Sequence, residues 1–94
     1  MIHKIYKIVS VNVVAPFTLE IGFSNGVKKT IHFSDILKGE MYGPLSDENY
    51  FNKVYLDTEV HTIAWPNGAD FAPEILYNWE TYKDELIKRA EMWV

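Results

Sequence analysis

The clearest pattern in the chain is an alternation of apolar and polar residues over residues 17–33, which predicts a β-hairpin. A three-residue loop, Ser24-Asn25-Gly26, would pair Phe23 with Val27 and place one apolar set on a single face. That set is Phe17, Leu19, Ile21, Phe23, Val27, Ile31 and Phe33. We therefore expect a type I turn closed by a left-handed Gly26, with Lys29 extending from the apolar face near a sheet edge.

Shorter runs of β-branched and aromatic residues predict three more strands. The first spans residues 5–14 and ends before Pro16, because proline cannot donate to a sheet ladder. The other two span residues 54–57 and 60–65 and are joined by a short turn. Residues 40–49 contain Gly43-Pro44, a pair typical of turns, so we predict a loop there.

Helices are predicted between the strands and at the end of the chain. Short helical turns would begin at Ser34, with Gly39 ending the first, and at Ser46 or Asp47. Pro73 suits the first position of a helix. The last helix is expected to run to about Trp93, with a capping box formed by Thr81 and Asp84. Its apolar stripe comprises Tyr82, Leu86, Ile87, Ala90 and Trp93.

These elements predict a single α+β domain over residues 1–94, an antiparallel β-sheet of hairpins with a C-terminal helix packed on it. We expect about five strands in that sheet, with a partly closed, barrel-like sheet as the alternative. The last helix ends in Trp93 and Val94, so we also expect self-association through this helix.

Composition narrows the protein class. The 94 residues are 48% hydrophobic and 15% aromatic, which suffices for one packed core. Since there is no cysteine, disulfides, thiolate zinc sites and cysteine nucleophiles are excluded. No apolar run approaches the ~20 residues that span a bilayer, and Ser10 and Asn12 interrupt the N-terminal run as a strand does. We expect a cytoplasmic protein with no membrane partner.

No recognised catalytic motif occurs in the sequence. The serines lack a Gly-x-Ser-x-Gly context, and the glycines match no phosphate-binding loop. The carboxylate pairs Asp57/Glu59 and Asp70/Glu74 suit a hairpin turn and a helix start better than acid–base catalysis. The histidines show no metal-ligand spacing: they are His3, His32 and His61. We expect no catalytic residue, metal or cofactor.

Charge is unevenly distributed along the chain. Residues 1–39 hold five basic and two acidic side chains, whereas residues 40–80 hold one basic and eight acidic side chains. This acidic segment disfavours nucleic-acid binding and favours a basic protein partner, although a merely solubilising surface has the same pattern. We predict that a basic partner covers a face around Asp57, Glu59, Asp70 and Glu74.

The segment Trp65-Pro66-Asn67-Gly68-Ala69-Asp70, followed by Pro73-Glu74 and Leu76-Tyr77, resembles the hallmark of the family known as domain of unknown function 2442. The turn Phe23-Ser24-Asn25-Gly26 and residues 45–54 also resemble segments of that family, so the resemblance covers about residues 5–78. It implies a small prokaryotic α+β domain. Because members include proteins encoded beside a second small protein, it also implies an antitoxin-like or adaptor role.

Two interpretations of residues 65–77 stay open. In the first, the segment is a structural fastening in which Asp70 accepts backbone N–H groups and Trp65 packs on Tyr77. In the second, Trp65, Asn67, Asp70, Glu74 and Tyr77 form a binding site. We favour a non-enzymatic protein-interaction module. The alternative is a small ligand- or metal-dependent enzyme that uses Asp70, Glu74 and a histidine in a pocket.

Overall fold

The structure, a computed structural model, describes residues 6–92. Strands β1 (Ile8–Ala15), β2 (Thr18–Phe23) and β3 (Lys28–His32) form an antiparallel sheet in that order. Leu19 pairs with Ile31 and Ile21 with Lys29, which is the predicted register. The N–H of Phe23 donates to the carbonyl of Val27 at 2.8 Å, and Gly26 has a φ of 90°. The predicted three-residue loop is therefore confirmed.

The other two strands, β4 (Tyr55–Asp57) and β5 (Thr62–Ala64), form a separate antiparallel sheet. The described residues thus contain five antiparallel strands, as expected, but these are divided between two sheets instead of one, and the sheets do not close into a barrel. Strand β5 is shorter than predicted because Val60 and His61 belong to the turn, where His61 takes a left-handed φ of 56°.

The segment between the two sheets is helical rather than a loop. A 3-10 turn (Ser34–Ile36) leads into α1 (Gly39–Tyr42), a second 3-10 turn (Gly43–Ser46) and α2 (Glu48–Phe51). The loop expected over residues 40–49 is wrong, because the fully buried Leu45 anchors these turns against the core. Gly39 begins α1 instead of ending a helix, and Ser34 provides no side-chain cap.

Of the two residues considered as the cap of α2, the structure selects Asp47. Its carboxylate accepts the N–H of Asn49 at 3.0 Å, satisfying one of the free donors at the helix start.

Two helices follow β5: α3 (Pro73–Tyr77), which begins at proline as predicted, and α4 (Trp79–Glu91). Helix α4 starts before Thr81, and its flanking Asn78 makes no side-chain cap, so the predicted capping box is wrong. Ala90 is buried and the remaining stripe residues of α4 that the structure describes are half-buried. Trp93 lies outside the described residues. No helix over residues 6–92 is long and apolar enough to cross a membrane.

The core contains an aromatic cluster centred on Phe33. The ring of Phe33 contacts the rings of Phe51, Trp65, Phe71 and Trp79, with centroid distances of 5.3 to 6.5 Å. These rings come from separate segments of the chain, so their packing brings residues 33–51 against residues 65–79.

Candidate functional site

The loop after β5 repeats the geometry of the first hairpin turn. The N–H of Gly68 donates to the carbonyl of Trp65, and the N–H of Trp65 donates to the carbonyl of Ala69, both at 2.9 Å. Gly68 has a φ of 89°, nearly that of Gly26. Asn-Gly in this position supplies the left-handed residue that such a turn requires, so the hallmark sequence specifies the loop locally.

Trp65 lies in the core and not at the surface. Its side chain is fully buried, and its indole Nε1 donates to the carbonyl of Phe51 at 2.8 Å. A side chain in this position has no contact with solvent, so it holds the loop in place and cannot take part in a surface binding site.

Tyr77 packs away from Trp65, and the expected contact between these two rings is wrong. Its ring stacks on Tyr6 at 4.2 Å and meets Phe23 edge-on at 5.0 Å. Its hydroxyl accepts the side-chain amide of Asn25 at 3.1 Å. Helix α3 therefore directs Tyr77 onto the turn of the first hairpin, while Trp65 points into the core.

Two adjoining grooves lie near the predicted site. The α4 groove, of about 400 Å³, lies between the first 3-10 turn, residues 70–72, α3 and α4, and its apolar lining includes Ile36, Phe71, Ile75, Leu86 and Ala90. The α1 groove, of about 570 Å³, lies beside α1 and reaches Met41, Pro44 and Asn67. Lys38 and Tyr42 line both grooves, so the two grooves adjoin at these residues.

Tyr42 is one of the two residues that line both grooves. Its hydroxyl donates to the backbone carbonyl of Asp70 at 2.9 Å, and its ring stacks on Phe71 with centroids 5.0 Å apart. Burial raises the pKa of Tyr42 above its ordinary value of 10.0, and the negative charge of Asp70 raises it further. The phenol therefore keeps its proton at neutral pH and acts as a hydrogen-bond donor.

The rims of the grooves carry charges of both signs. Lys38 and Arg89 supply positive charge, and Glu40 and Asp70 supply negative charge. All four residues are exposed, and Arg89 also forms an ion pair with Glu85 at 2.7 Å. An apolar floor with a polar, solvated rim is typical of surfaces that bind polypeptide segments.

Only Asn67 and Asp70 of the predicted site residues line these grooves. Asp57 accepts the N–H of Glu59 at 2.9 Å in the turn between β4 and β5, at another part of the surface. Glu74 is exposed in the first turn of α3 and lines neither groove. Asp57 and Glu59 therefore lie together in the expected turn, whereas Asp70 lines the α4 groove without Glu74.

Asp70 does not cap α3, contrary to expectation. The residue before the helix is Ala72, and no side-chain cap is formed at this end. The loop turns back after Ala69, so Asp70 pairs its backbone with Ala64 as an isolated bridge. Its carboxylate is exposed at the groove rim.

The histidines that the structure describes lie away from the grooves. His32 hydrogen-bonds to the hydroxyls of Thr18 at 2.9 Å and Ser34 at 2.6 Å, on the exposed face of the hairpin. His61 is exposed in the turn between β4 and β5. Within residues 6–92, no group of three histidine or carboxylate side chains could hold a metal ion.

Several groove residues escaped the sequence analysis, chiefly Lys38, Tyr42, Leu86 and Arg89. Lys38 falls in the predicted helical turn before Gly39, Tyr42 in the predicted loop, and Leu86 on the predicted apolar stripe of the last helix. These four residues come from separate segments and meet only in the folded chain, so no sequence pattern indicates the groove.

Residues 8–82 match the family model described as Protein of unknown function (DUF2442), which covers most of the chain. The chain has no significant match among curated proteins or among solved structures.

Proposed function

The chain belongs to the family Protein of unknown function (DUF2442), and from this premise we propose that it is a non-enzymatic module that binds a basic protein partner. An adaptor or an antitoxin-like protein needs only such a binding surface. The proposed interface combines the α4 groove, which receives apolar side chains of the partner, with the exposed carboxylates of residues 40–80.

The observation that carries this proposal is the scarcity of ion pairs in the acidic segment. Residues 40–80 contain eight carboxylates and one lysine. In the described part of the chain, Glu80 is the one carboxylate of this segment that forms an ion pair, with Lys29 at 3.0 Å. The remaining carboxylates can attract lysine and arginine side chains, which speeds encounter and excludes acidic partners.

The groove supplies the apolar contact that charge alone does not. Ile75 and Leu86 are half-buried in its lining, and Asp70 stands at its rim. Buried apolar anchors hold most interfaces together, whereas rim charges chiefly steer association. A partner segment that combines an apolar side chain with lysine or arginine would match both features.

The enzyme alternative has less support. It requires Asp70, Glu74 and a histidine around one pocket, whereas the groove that Asp70 lines contains neither Glu74 nor a histidine. The groove residue with a shifted pKa is Tyr42, and the upward shift leaves even less of the deprotonated form available as a base at neutral pH.

Selection from a random-peptide display library tests the proposal. We expect the wild-type chain to enrich peptides rich in lysine and arginine that also carry an apolar residue. The double variant Asp70→Lys/Glu74→Lys should bind them about tenfold more weakly. Asp84→Lys makes the same kind of charge change on an exposed site of α4 outside the acidic segment and should leave binding unchanged. Enrichment of acidic or neutral peptides would contradict the proposal.

Rate constants separate the two parts of the interface. Glu59→Lys should lower the association rate constant. The difference from the wild-type rate should shrink above ~0.15 M salt, where the screening length is ~8 Å or less. Leu86→Ala removes apolar contact and should raise the dissociation rate. Tight, salt-sensitive binding of DNA or RNA by the isolated chain would argue against a protein partner.

A further inference from the structure

The two edges of the three-stranded sheet differ in charge. Strand β3 forms one edge and begins with Lys28 and Lys29, and lysines on an edge strand discourage pairing with other chains. Strand β1 forms the other edge, and none of its eight residues is charged, proline or glycine. The side chains of Val9, Val13 and Val14 are exposed along it. Such an edge is a template for a further strand.

Backbone geometry shows which residues of β1 face this open edge. Odd-numbered residues of β2 exchange hydrogen bonds with β3, as in the bond from the N–H of Phe23 to the carbonyl of Val27. The even-numbered residues of β2 therefore face β1, where their partners include Asn12. Since alternate residues of an antiparallel strand point in opposite directions, Val11 and Val13 direct their N–H and C=O groups outward.

The open stretch has defined ends. At its start, the N–H of Ile8 donates to the carbonyl of His61 at 2.9 Å, so the turn between β4 and β5 covers that position. Register shifts interrupt β1 after Ile8 and after Val13, leaving residues 10–13 in regular register. Over residues 6–92, no backbone group bonds to the outward side of Val11 or Val13.

We propose that two copies of this chain pair antiparallel along β1, with Asn12 of each copy opposite Asn12 of the other. In this register Val11 of one copy lies opposite Val13 of the other, and each such pair exchanges both outward backbone hydrogen bonds. The two three-stranded sheets then form one continuous sheet.

Side chains fit the same register. Val11 pairs with Ile21 and Val13 with Leu19, so both valines lie on the core-facing side of the sheet. In the dimer each valine packs against its counterpart, which extends the core across the symmetry axis. This covers Val13, whose side chain is 41% exposed in the single chain.

Charge does not oppose self-pairing at this edge, although the net charge of the chain is −4. The carboxylate closest in register is that of Glu20, which pairs with Asn12 on the neighbouring strand. In the proposed dimer the two Glu20 residues lie three strand spacings apart, roughly 14 Å. Since this exceeds the ~8 Å screening length at physiological salt, their repulsion is weak.

Disulfide trapping tests the register. The chain has no cysteine, so Asn12→Cys introduces a single thiol at the proposed symmetry axis. We expect mild oxidation to cross-link this variant at least about tenfold faster than Thr30→Cys, an exposed control on the β3 edge. Equal rates would overturn the proposal. Faster cross-linking of Glu91→Cys would instead place the contact at the C-terminal helix.

Sedimentation equilibrium tests the dimer without cross-linking. The wild-type chain should dimerise at high micromolar concentration. Asn12→Lys places like charges opposite each other and should raise the dimer dissociation constant about fivefold or more. Thr30→Lys, on the lysine-bearing edge, should leave it unchanged. A wild-type chain that stays monomeric throughout this range would overturn the proposal, whatever the peptide selection shows.

Discussion

Asn25 and Asn67 occupy the same position in two separate turns and use their side-chain amides in the same way. Each Oδ1 accepts the N–H of the residue two positions later, at 3.1 Å for Asn25 and 3.0 Å for Asn67. Each Nδ2 donates to a distant segment, Asn25 to the hydroxyl of Tyr77 and Asn67 to the carbonyl of Met41. One amide thus closes a turn and ties it to another element, which supports the structural interpretation of these asparagines.

Because the side chain of Asn67 makes two hydrogen bonds, variants that remove one or both should lose stability in two steps. Asn67→Asp keeps the acceptor within the turn but loses the bond to Met41, and should lower the free energy of unfolding by about 1 kcal/mol. Asn67→Ala loses both bonds and should cost about 2 kcal/mol. Urea unfolding measures these changes. Asn52→Ala is the matched control, since Asn52 is exposed. Equal losses for Asn67→Ala and Asn52→Ala would contradict this role.

Glycine is required at two turn positions because of backbone conformation and not because of space. Gly26 and Gly68 have φ values of 90° and 89°, yet an added Cβ would meet no atom within 4 Å at either position. Gly26→Ala and Gly68→Ala should each destabilise the fold by about 1–2 kcal/mol, and Gly26→Val by at least as much. Thermal unfolding measures the loss.

Gly43 provides the control for these glycine variants. It has equally open space but a φ of −53°, which any residue adopts. Gly43→Ala should therefore be neutral or stabilising by up to about 1 kcal/mol. If Gly26→Ala unfolds at the same temperature as Gly43→Ala, the assigned turn geometry is wrong.

The indole hydrogen bond of Trp65 should contribute measurably to stability. Trp65→Phe removes this bond to Phe51 and leaves a cavity in the core, so we expect a loss of about 2–4 kcal/mol in urea unfolding. Trp79→Phe removes the same volume from a buried site at which the described residues show no bond to the indole. Its loss should be smaller by about 1 kcal/mol. Identical losses would assign the whole effect to packing.

Protonation of Glu80 should lower the free energy of unfolding at acidic pH. Its carboxylate has a pKa below the ordinary value of 4.5, first because of a bond from its own backbone N–H and then because of Lys29. Because the pKa is lower in the folded state, the carboxylate stabilises the fold at pH values above its unfolded-state pKa. This contribution is lost as the pH falls through the folded-state pKa. Glu80 is well exposed, so the effect is small.

The matched variants at this ion pair are Glu80→Gln and Lys29→Met. Glu80→Gln should remove the acid-induced decline that this carboxylate causes, whereas Lys29→Met should remove only part of it because the backbone bond persists. Unfolding free energies measured from neutral pH to below pH 4.5 provide the comparison. An unchanged pH profile for Glu80→Gln would show that the pKa is not lowered by folding.

Local patterns accounted for the first hairpin and the start of α3. The alternation around Asn25-Gly26 admits one register with an apolar face, and Pro73 is favourable only at a helix start, so neighbouring residues suffice to specify both. Local patterns did not predict the helical turns over residues 39–46. These turns are too short to carry a periodic pattern, and the burial of Leu45 against distant residues decides their conformation.

The candidate site divides in the same way. The Asn-Gly turn that holds Asn67 could be recognised from sequence, because left-handed backbone angles and a side-chain acceptor are properties of adjacent residues. The groove could not be recognised from sequence, because Lys38, Tyr42 and Arg89 meet there only after the aromatic core has packed residues 33–51 against residues 65–79. The length of β1 that stays open likewise depends on tertiary structure, because the turn between β4 and β5 covers only the position of Ile8. Short-range chemistry therefore specified the turns, and long-range packing specified the groove and the open strand edge.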